Sequence, residues 1–145
     1  MSFAINVLTR SLNVFHFAGS PCNNCDIEIL DALTPRYDLE RFGIVLVGSV
    51  KHADVLLLTG VFNKKCVIRA KRVYEQAPRP IVVIAVGMCA CTGQMFQTSY
   101  NWDGPIGRVI PVDAYLPGCP PKPEAMISAV VKLVQKIKQP AAATK

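Results

Sequence analysis

Residues 55–87 read VLLLTGVFNKKCVIRAKRVYEQAPRPIVVIAVG, and this stretch decides the fold class. Two short apolar runs, 55–60 and 81–87, are rich in Val, Ile and Leu, and each ends in glycine. Such runs are typical of strands buried on both faces of a parallel sheet. Between them, residues 63–77 carry an apolar stripe at helical spacing, and Asn63 is a suitable N-cap. The stretch therefore predicts a βαβ unit.

Other segments extend this unit in both directions. We expect strands at the apolar runs 14–18 and 44–47 and in the extended segment 109–116. We expect one helix to begin near Cys25 and to stop before Pro35, and a last helix with Pro121 or Pro123 in its first turn. The whole pattern predicts an open α/β sheet with helices on its faces.

The composition is that of a single globular domain. The chain has 145 residues, of which 51% are hydrophobic and 18% are charged. We expect one domain over residues 1–138, followed by a frayed tail at 139–145. So few charges also suggest that some apolar surface faces a partner protein.

The charge pattern argues against nucleic acid as a partner. The net charge is +6, but the basic residues are mostly scattered, and there is no arginine-rich arm. The densest basic group lies on the predicted helix 63–77 and consists of Lys64, Lys65, Arg69, Lys71 and Arg72.

No apolar run is long enough to cross a membrane. The longest, residues 81–91, is well short of the roughly 20 residues that a bilayer requires. The N-terminus lacks a basic leading region and is interrupted by Arg10, so we expect no signal peptide and a cytoplasmic location. In a reducing compartment, the six cysteines are better explained as metal ligands or buried thiols than as disulfides.

Five of the six cysteines follow predicted strands, where sites in open α/β sheets form. Cys22 and Cys25 form a CxxC pair whose second member opens a helix, and helix amides stabilise a thiolate. A redox dithiol and two ordinary buried thiols are the alternatives. Cys119 lies in the rigid loop LPGCPP, which suits an iron–sulfur ligand, although a tight turn with an incidental cysteine is also possible.

The remaining cysteines are less clear. If the chain stays extended after Gly87, Cys89 and Cys91 point to the same side, and their spacing alone does not say which one binds. Cys66 lies on the apolar stripe of its helix and is better explained as a small core residue.

Four thiolates can hold either zinc or a [4Fe–4S] cluster. Structural zinc sites usually pair two short CxxC hairpins, whereas this chain has one such pair and draws its other candidates singly from distant loops. This pattern favours a functional cluster over a zinc staple.

Four stretches carry a resemblance to a known family: CNNCDIEILDALTPRYDLERFG, HADVLLLTG, GMCA and IPVDAYLPGCPPKPEA. They resemble the small subunit of membrane-bound, energy-converting [NiFe] hydrogenases. That family is homologous to the complex I subunit that carries the terminal iron–sulfur cluster. The resemblance covers roughly residues 14–137, with the motifs in the family's order.

The resemblance implies a flavodoxin-like, mostly parallel sheet with helices on both faces, and one [4Fe–4S] cluster. The family's cysteine pattern falls on Cys22, Cys25, Cys89 and Cys119, which selects Cys89 over Cys91 and leaves Cys66 out. The CxxC spacing, in place of two adjacent cysteines, favours the hydrogenase side of the family. Asn24 departs from the family's glycine; because Asn tolerates left-handed backbone, we expect the loop to persist.

The implied function is electron transfer, with no bond chemistry in this chain alone. Electrons would pass from soluble ferredoxin through a ferredoxin-like two-cluster subunit to this cluster. They would continue to a Ni–Fe centre in the large subunit, which reduces protons to H2, while membrane subunits translocate ions. The chain would be a peripheral subunit on the cytoplasmic side of the membrane. The alternatives are a ferredoxin-driven sulfur-reducing relative, a complex I-like quinone oxidoreductase and a zinc-stapled scaffold without a redox role.

Three further polar features have two interpretations each. Glu28, one turn past Cys25, either couples proton movement to electron arrival or is an ordinary carboxylate near a helix start. His16 alternates with apolar residues and is better explained as a structural or interface residue than as a ligand. A charged cluster after Pro35 either contacts the large subunit or is a solvated face; it consists of Arg36, Tyr37, Asp38, Glu40 and Arg41.

Overall fold

The sheet has five strands, all parallel, in the order β2-β1-β3-β4-β5. The structure is a computed structural model. It describes residues 11–138, and side chains are described up to residue 132. The strands are β1 (Leu12–Ala18), β2 (Ile44–Leu46), β3 (Val55–Thr59), β4 (Val82–Val86) and β5 (Ala114–Leu116). This strand order is that of the flavodoxin-like doubly wound fold, so the predicted fold class is confirmed.

Four α-helices and four short 3-10 helices connect the strands within the described range. The α-helices are α1 (Asn24–Asp31), α2 (Lys64–Gln76), α3 (Met88–Thr92) and α4 (Pro123–Lys138). The 3-10 helices are Leu39–Phe42, Val50–His52, Gln94–Phe96 and Ile106–Arg108. None of the helices in this range is long and apolar enough to cross a membrane.

The helices cover both faces of the sheet, and each face has its own core. On one face, Leu56, Leu58 and Val83 pack with Phe62 and with Val67 of α2. On the other face, a second set of buried side chains comes from the sheet, from α1 and from α4: Val14, Val55, Ile84, Val86, Ile29 and Met126. Among the described side chains, this second face leaves an apolar cavity of about 290 Å³.

The predicted βαβ unit is confirmed. Residues 55–59 and 82–86 are parallel neighbours, and α2 lies between them along the chain. The side chain of Asn63 accepts hydrogen bonds from the amides of Lys65 and Cys66, as expected of an N-cap. The basic side chains that α2 carries are exposed to solvent.

One predicted boundary is wrong. The extended segment expected at 109–116 contains a strand only at Ala114–Leu116, because residues 106–108 form a 3-10 helix and Pro111 has no amide proton to donate. Instead, the backbone amide of Val83 donates to the carboxylate of Asp113 at 2.8 Å. Helix α1 begins at Asn24 and ends at Asp31, so the prediction that it begins near Cys25 and stops before Pro35 is confirmed. The tail at 139–145 lies outside the described residues, and the single-domain division stays a prediction.

Candidate metal centre

The last residues of four strands form one row across the sheet. Ala18 pairs with Thr59, Thr59 with Val86, and Val86 with Leu116. Because parallel strands all point the same way, the loops that follow these residues leave the sheet at the same edge. Cys22 and Cys25 follow β1, Cys89 follows β4, and Cys119 follows β5. The topology therefore brings the four predicted ligands to one edge.

The first loop is anchored to the end of β3. The amide of Gly19 donates to the carbonyl of Thr59 at 2.9 Å, and the amide of Ser20 donates to the carbonyl of Val61 at 2.9 Å. The left-handed residue of this loop is Asn23, with φ 67°, whereas Asn24 is the first residue of α1. The loop is formed with Asn24 in place of the family's glycine, and its left-handed residue is the asparagine before it.

The loop after β4 is helical, which corrects the expectation of an extended chain. Residues 88–92 form α3, so Cys89 and Cys91 point in different directions. The thiol of Cys91 packs against the core and donates to the carbonyl oxygen of Ala85 at 3.6 Å. Burial raises the pKa of Cys91. Cys91 is thus already satisfied inside the fold, whereas Cys89 faces the other loops.

The third loop is held against the second by backbone hydrogen bonds. The amide of Gly87 donates to the carbonyl of Leu116 at 2.9 Å, and the amide of Met88 donates to the carbonyl of Gly118 at 2.8 Å. Gly118 is required there, because a Cβ at this position would lie 2.6 Å from the Cα of Pro121. The loop presents Cys119 as an exposed thiol.

Two of the four thiols, Cys25 and Cys89, have a raised pKa that depends in part on the other thiols. The pKa of Cys25 is raised to about 11, first by burial and then, in decreasing order, by the neighbouring Cys22, Cys89, Asp26 and Cys119. Burial, followed by Cys119 and Cys22, likewise raises the pKa of Cys89. Thiolates gathered in this way repel one another, and a bound cationic group would remove that repulsion.

Gly87 leaves a space beside Cys25 that a larger residue would fill. A Cβ on Gly87 would lie 2.7 Å from the Sγ atom of Cys25, closer than side-chain carbons approach one another. The sulfur therefore lies directly against the backbone at the end of β4. This close approach joins the first ligand loop to the second.

The spacing of the donors bears on the choice between zinc and a cluster. Within residues 11–138, no three Cys, His, Asp or Glu side chains lie close enough together to hold a single metal ion. Zn–S bonds of about 2.3 Å would require the thiolate sulfurs to lie within about 4 Å of one another. In a four-iron cluster each thiolate binds its own iron atom, so the sulfurs lie farther apart. The donor set of four cysteine thiols fits such a cluster.

Cys66 lies apart from this set. As a residue of α2 it packs against the core, and its thiol donates to the carbonyl of Gly19 at 3.4 Å. Its expected identity as a small core residue agrees with this position.

The polar features named from the sequence have different surroundings. His16 bonds to Thr59 and lies beside Asp26, so a structural role is supported. Glu28 is half-buried on α1, and its proton-coupling role stays a prediction.

The charged cluster after Pro35 is partly structural. Tyr37 donates to the carboxylate of Glu124 at 2.8 Å, and Asp38 accepts from the amide of Arg41. The hydrogen bond from Tyr37 lowers the pKa of Glu124, and the same bond raises the pKa of Tyr37. These contacts tie the segment to α4 and to its own 3-10 helix.

Sequence patterns missed three residues near the thiols. Asp26 and Thr59 form a hydrogen bond across two elements, and Gln94 lies with its amide oxygen 3.7 Å from the Sγ of Cys89. Asp26 had only the signal of a polar residue next to a candidate ligand, which is too common to be diagnostic, and Thr59 and Gln94 had no such signal.

A doubly wound sheet with four cysteine thiols at the carboxyl ends of its strands is an arrangement that suits an iron–sulfur redox centre. Comparison with known families agrees, because residues 22–133 match the family described as NADH ubiquinone oxidoreductase, 20 Kd subunit. The chain belongs to this family of oxidoreductase subunits.

Individual relatives carry the names of subunits of different oxidoreductases. The chain is 52% identical over 128 residues to a "probable membrane-bound hydrogenase subunit" of Pyrococcus furiosus, covering 88% of this chain and 77% of the relative. It is 41% identical over 126 residues to one of the subunits of the F(420)H(2) dehydrogenase of Methanosarcina mazei, covering 87% of this chain and 68% of the relative.

Solved structures support the fold. A chain of the membrane-bound sulfane sulfur reductase, an archaeal respiratory membrane complex, superposes with a TM-score of 0.82 at 36% identity. The match covers 94% of this chain and 75% of that one. A chain of an NAD+-reducing [NiFe]-hydrogenase superposes with a TM-score of 0.69 at 20% identity, over 93% of this chain and 97% of that one, and shows the same fold.

Proposed function

We propose that this chain is the electron-transfer small subunit of a membrane-bound [NiFe] hydrogenase. It holds one [4Fe–4S] cluster through Cys22, Cys25, Cys89 and Cys119. The observation that carries the proposal is the convergence of these four thiols, from three loops, at one edge of the sheet. The 52% identity to a hydrogenase subunit supports this choice of complex.

The chain's own residues bind and shield the cluster. Cys25 lies in the first turn of α1, where the helix dipole favours a negatively charged sulfur. Cys119 lies among three prolines, which fix its loop and remove backbone donors from it. The bound cluster would supply one-electron transfer, and its potential would depend on the charges and hydrogen bonds around the sulfurs.

The surface of α1 next to the ligands is suited to a partner subunit. Ile27 is 60% exposed and Leu30 is 56% exposed, although both are large apolar residues. Such side chains beside a redox site favour burial against another protein. We assign this surface to the large subunit, which would carry the Ni–Fe centre.

Other subunits would complete the electron path. A ferredoxin-like two-cluster subunit would pass electrons from soluble ferredoxin to this chain, and membrane subunits would translocate ions. The chain would lie on the cytoplasmic side of the membrane as a peripheral subunit. Glu28, on the same helix as Cys25, is the candidate for coupling proton movement to electron arrival.

A second candidate is the equivalent subunit of a sulfur-reducing complex or of a complex I-like quinone oxidoreductase. The structural match to a chain of the sulfane sulfur reductase favours the first of these. The large subunit encoded with this chain separates the candidates. Four cysteines suited to Ni–Fe binding, together with H2 evolution from reduced ferredoxin by the purified complex, support the hydrogenase. Sulfur reduction without H2 evolution contradicts it.

The cluster itself is tested by anaerobic purification, iron and zinc analysis, and EPR of the reduced protein. We expect about four irons per chain and a reduced-state EPR signal. Stoichiometric zinc in a colourless protein would sink the cluster assignment and support the zinc-stapled scaffold.

The ligand set is tested by placing serine at each of the six cysteines in turn. Iron should be lost from the variants at Cys22, Cys25, Cys89 and Cys119. It should be retained in the variants at Cys66 and Cys91, whose thiols pack into the core. Iron loss in Cys91→Ser with retention in Cys89→Ser would overturn the assignment of the second loop.

A further inference from the structure

A hydrogen-bonded network of three side chains lies directly behind the Cys25 turn. Thr59, the last residue of β3, is fully buried, and its hydroxyl donates to Oδ1 of Asp26 at 2.7 Å. Nε2 of His16, on β1, lies 2.8 Å from the hydroxyl oxygen of Thr59 and 3.1 Å from the same Oδ1 atom. The network therefore joins β1 and β3 to the first turn of α1.

The donors and acceptors of this network define its proton positions. A hydroxyl group has one proton, and Thr59 uses it toward Asp26. Nε2 of His16 must then carry a proton, because both atoms that it faces, the Thr59 oxygen and Oδ1 of Asp26, are acceptors. The carboxylate oxygen of Asp26 thus receives hydrogen bonds from two strands.

These bonds orient the residue that precedes Asp26. Because Cys25 and Asp26 are adjacent in one helical turn, a carboxylate fixed to the sheet restricts where the Cys25 sulfur can point. The carboxylate of Asp26 also places a negative charge next to that sulfur, since the two residues are neighbours in the first turn of α1. One side chain therefore acts on the thiol through both position and charge.

We propose that Asp26, held by Thr59 and His16, is a positioning residue that orients Cys25 and lowers the reduction potential of the cluster. A fixed negative charge beside a redox group makes the addition of an electron less favourable. The two donors offset part of that charge. This inference rests on the proposed function, since it requires a cluster bound at Cys25.

The test measures the midpoint potential by EPR-monitored redox titration at one pH, with iron analysis of every variant. Asp26→Asn keeps the shape and removes the charge, so the potential should rise. Asp31→Asn is the matched control, because it removes the same charge from the last residue of the same helix, and its potential should stay at the wild-type value.

A second pair of variants tests the role of the hydroxyl. Thr59→Val keeps the shape but removes the donor, which leaves the carboxylate less neutralised, so the potential should fall. Thr59→Ser keeps the donor and should restore the wild-type potential. A merely structural role for Thr59 would lower stability without this rescue of the potential.

The outcomes separate this inference from the function on which it rests. A wild-type protein without iron contradicts the proposed cluster. A wild-type protein with iron, together with an unchanged potential in Asp26→Asn, overturns the role of Asp26. If Asp26→Asn fails to retain iron, the Thr59→Val and Thr59→Ser pair decides, and equal potentials in these two variants overturn the inference.

Discussion

Replacing Gly87 by alanine should separate the stability of the fold from the binding of the cluster. Gly87 has φ 88° and ψ 153°, a region that is almost restricted to glycine. Alanine there should cost about 1–3 kcal/mol of folding free energy. For a domain of this size that corresponds to a fall in Tm of about 4–12 °C in the metal-free protein.

The effect on iron binding should be larger than the effect on the fold. The new Cβ would lie 2.7 Å from the Sγ of Cys25. In the metal-free protein, Cys25 can rotate away, because its sulfur is the free end of a side chain. With iron bound, the sulfur is held by its bond to the metal and cannot rotate without breaking that bond. The variant should therefore melt as a folded protein yet lose most of its iron.

Gly104→Ala is the matched control for this experiment. Gly104 also has positive φ, 104°, but the atoms nearest to a Cβ there belong to the flexible side chain of Arg108, beginning at 3.2 Å. This variant should show a similar loss of Tm and retain its iron. Differential scanning calorimetry and iron analysis measure the two effects separately. Full iron content with a wild-type EPR signal in Gly87→Ala would refute the placement of the Cys25 sulfur against β4.

Four further effects should be measurable. In the metal-free protein, alkylation of Cys25 should rise about tenfold per pH unit up to its pKa of about 11, and a plateau near pH 9 would contradict this. Because this pKa is raised from 9.0, stability should fall between pH 9 and about 11, as seen by denaturant titration. Asn63→Ala should cost about 1 kcal/mol through the lost α2 cap, while Asn63→Ser should not. Tyr37→Phe should raise the lowered pKa of Glu124 in an NMR titration, and an unchanged pKa would exclude their hydrogen bond.

The sequence predicted the central strands well because their signal is local. Residues 55–59 and 82–86 are almost continuous apolar runs, and such runs are the pattern of a parallel strand that is buried on both faces. The edge strand β5 was overestimated, because the turn at 106–108 and the contact between Asp113 and Val83 depend on neighbours distant in sequence. Local pattern cannot report such contacts.

At the candidate site, too, local features were predicted from the sequence and contacts between distant residues were not. The residues' own pattern found the thiols but left Cys89 and Cys91 undecided, since it assumed an extended chain where α3 forms. Family resemblance, and not spacing, selected Cys89. Asp26 and Thr59 were missed because nothing in the sequence relates a residue on α1 to one on β3. The identity of the ligands themselves stays a prediction.

The row of strand ends from Ala18 to Leu116 has a consequence for how the protein matures. Its first and last candidate ligands come from opposite ends of the chain, and β5 must pair with β4 before Cys119 reaches the others. Contacts of such long sequence separation form late in folding. During synthesis, the emerging chain can present only the CxxC pair and then Cys89. The complete set of four thiols is in place only after β5 has paired with β4, so we expect the proposed cluster to be inserted into the folded domain.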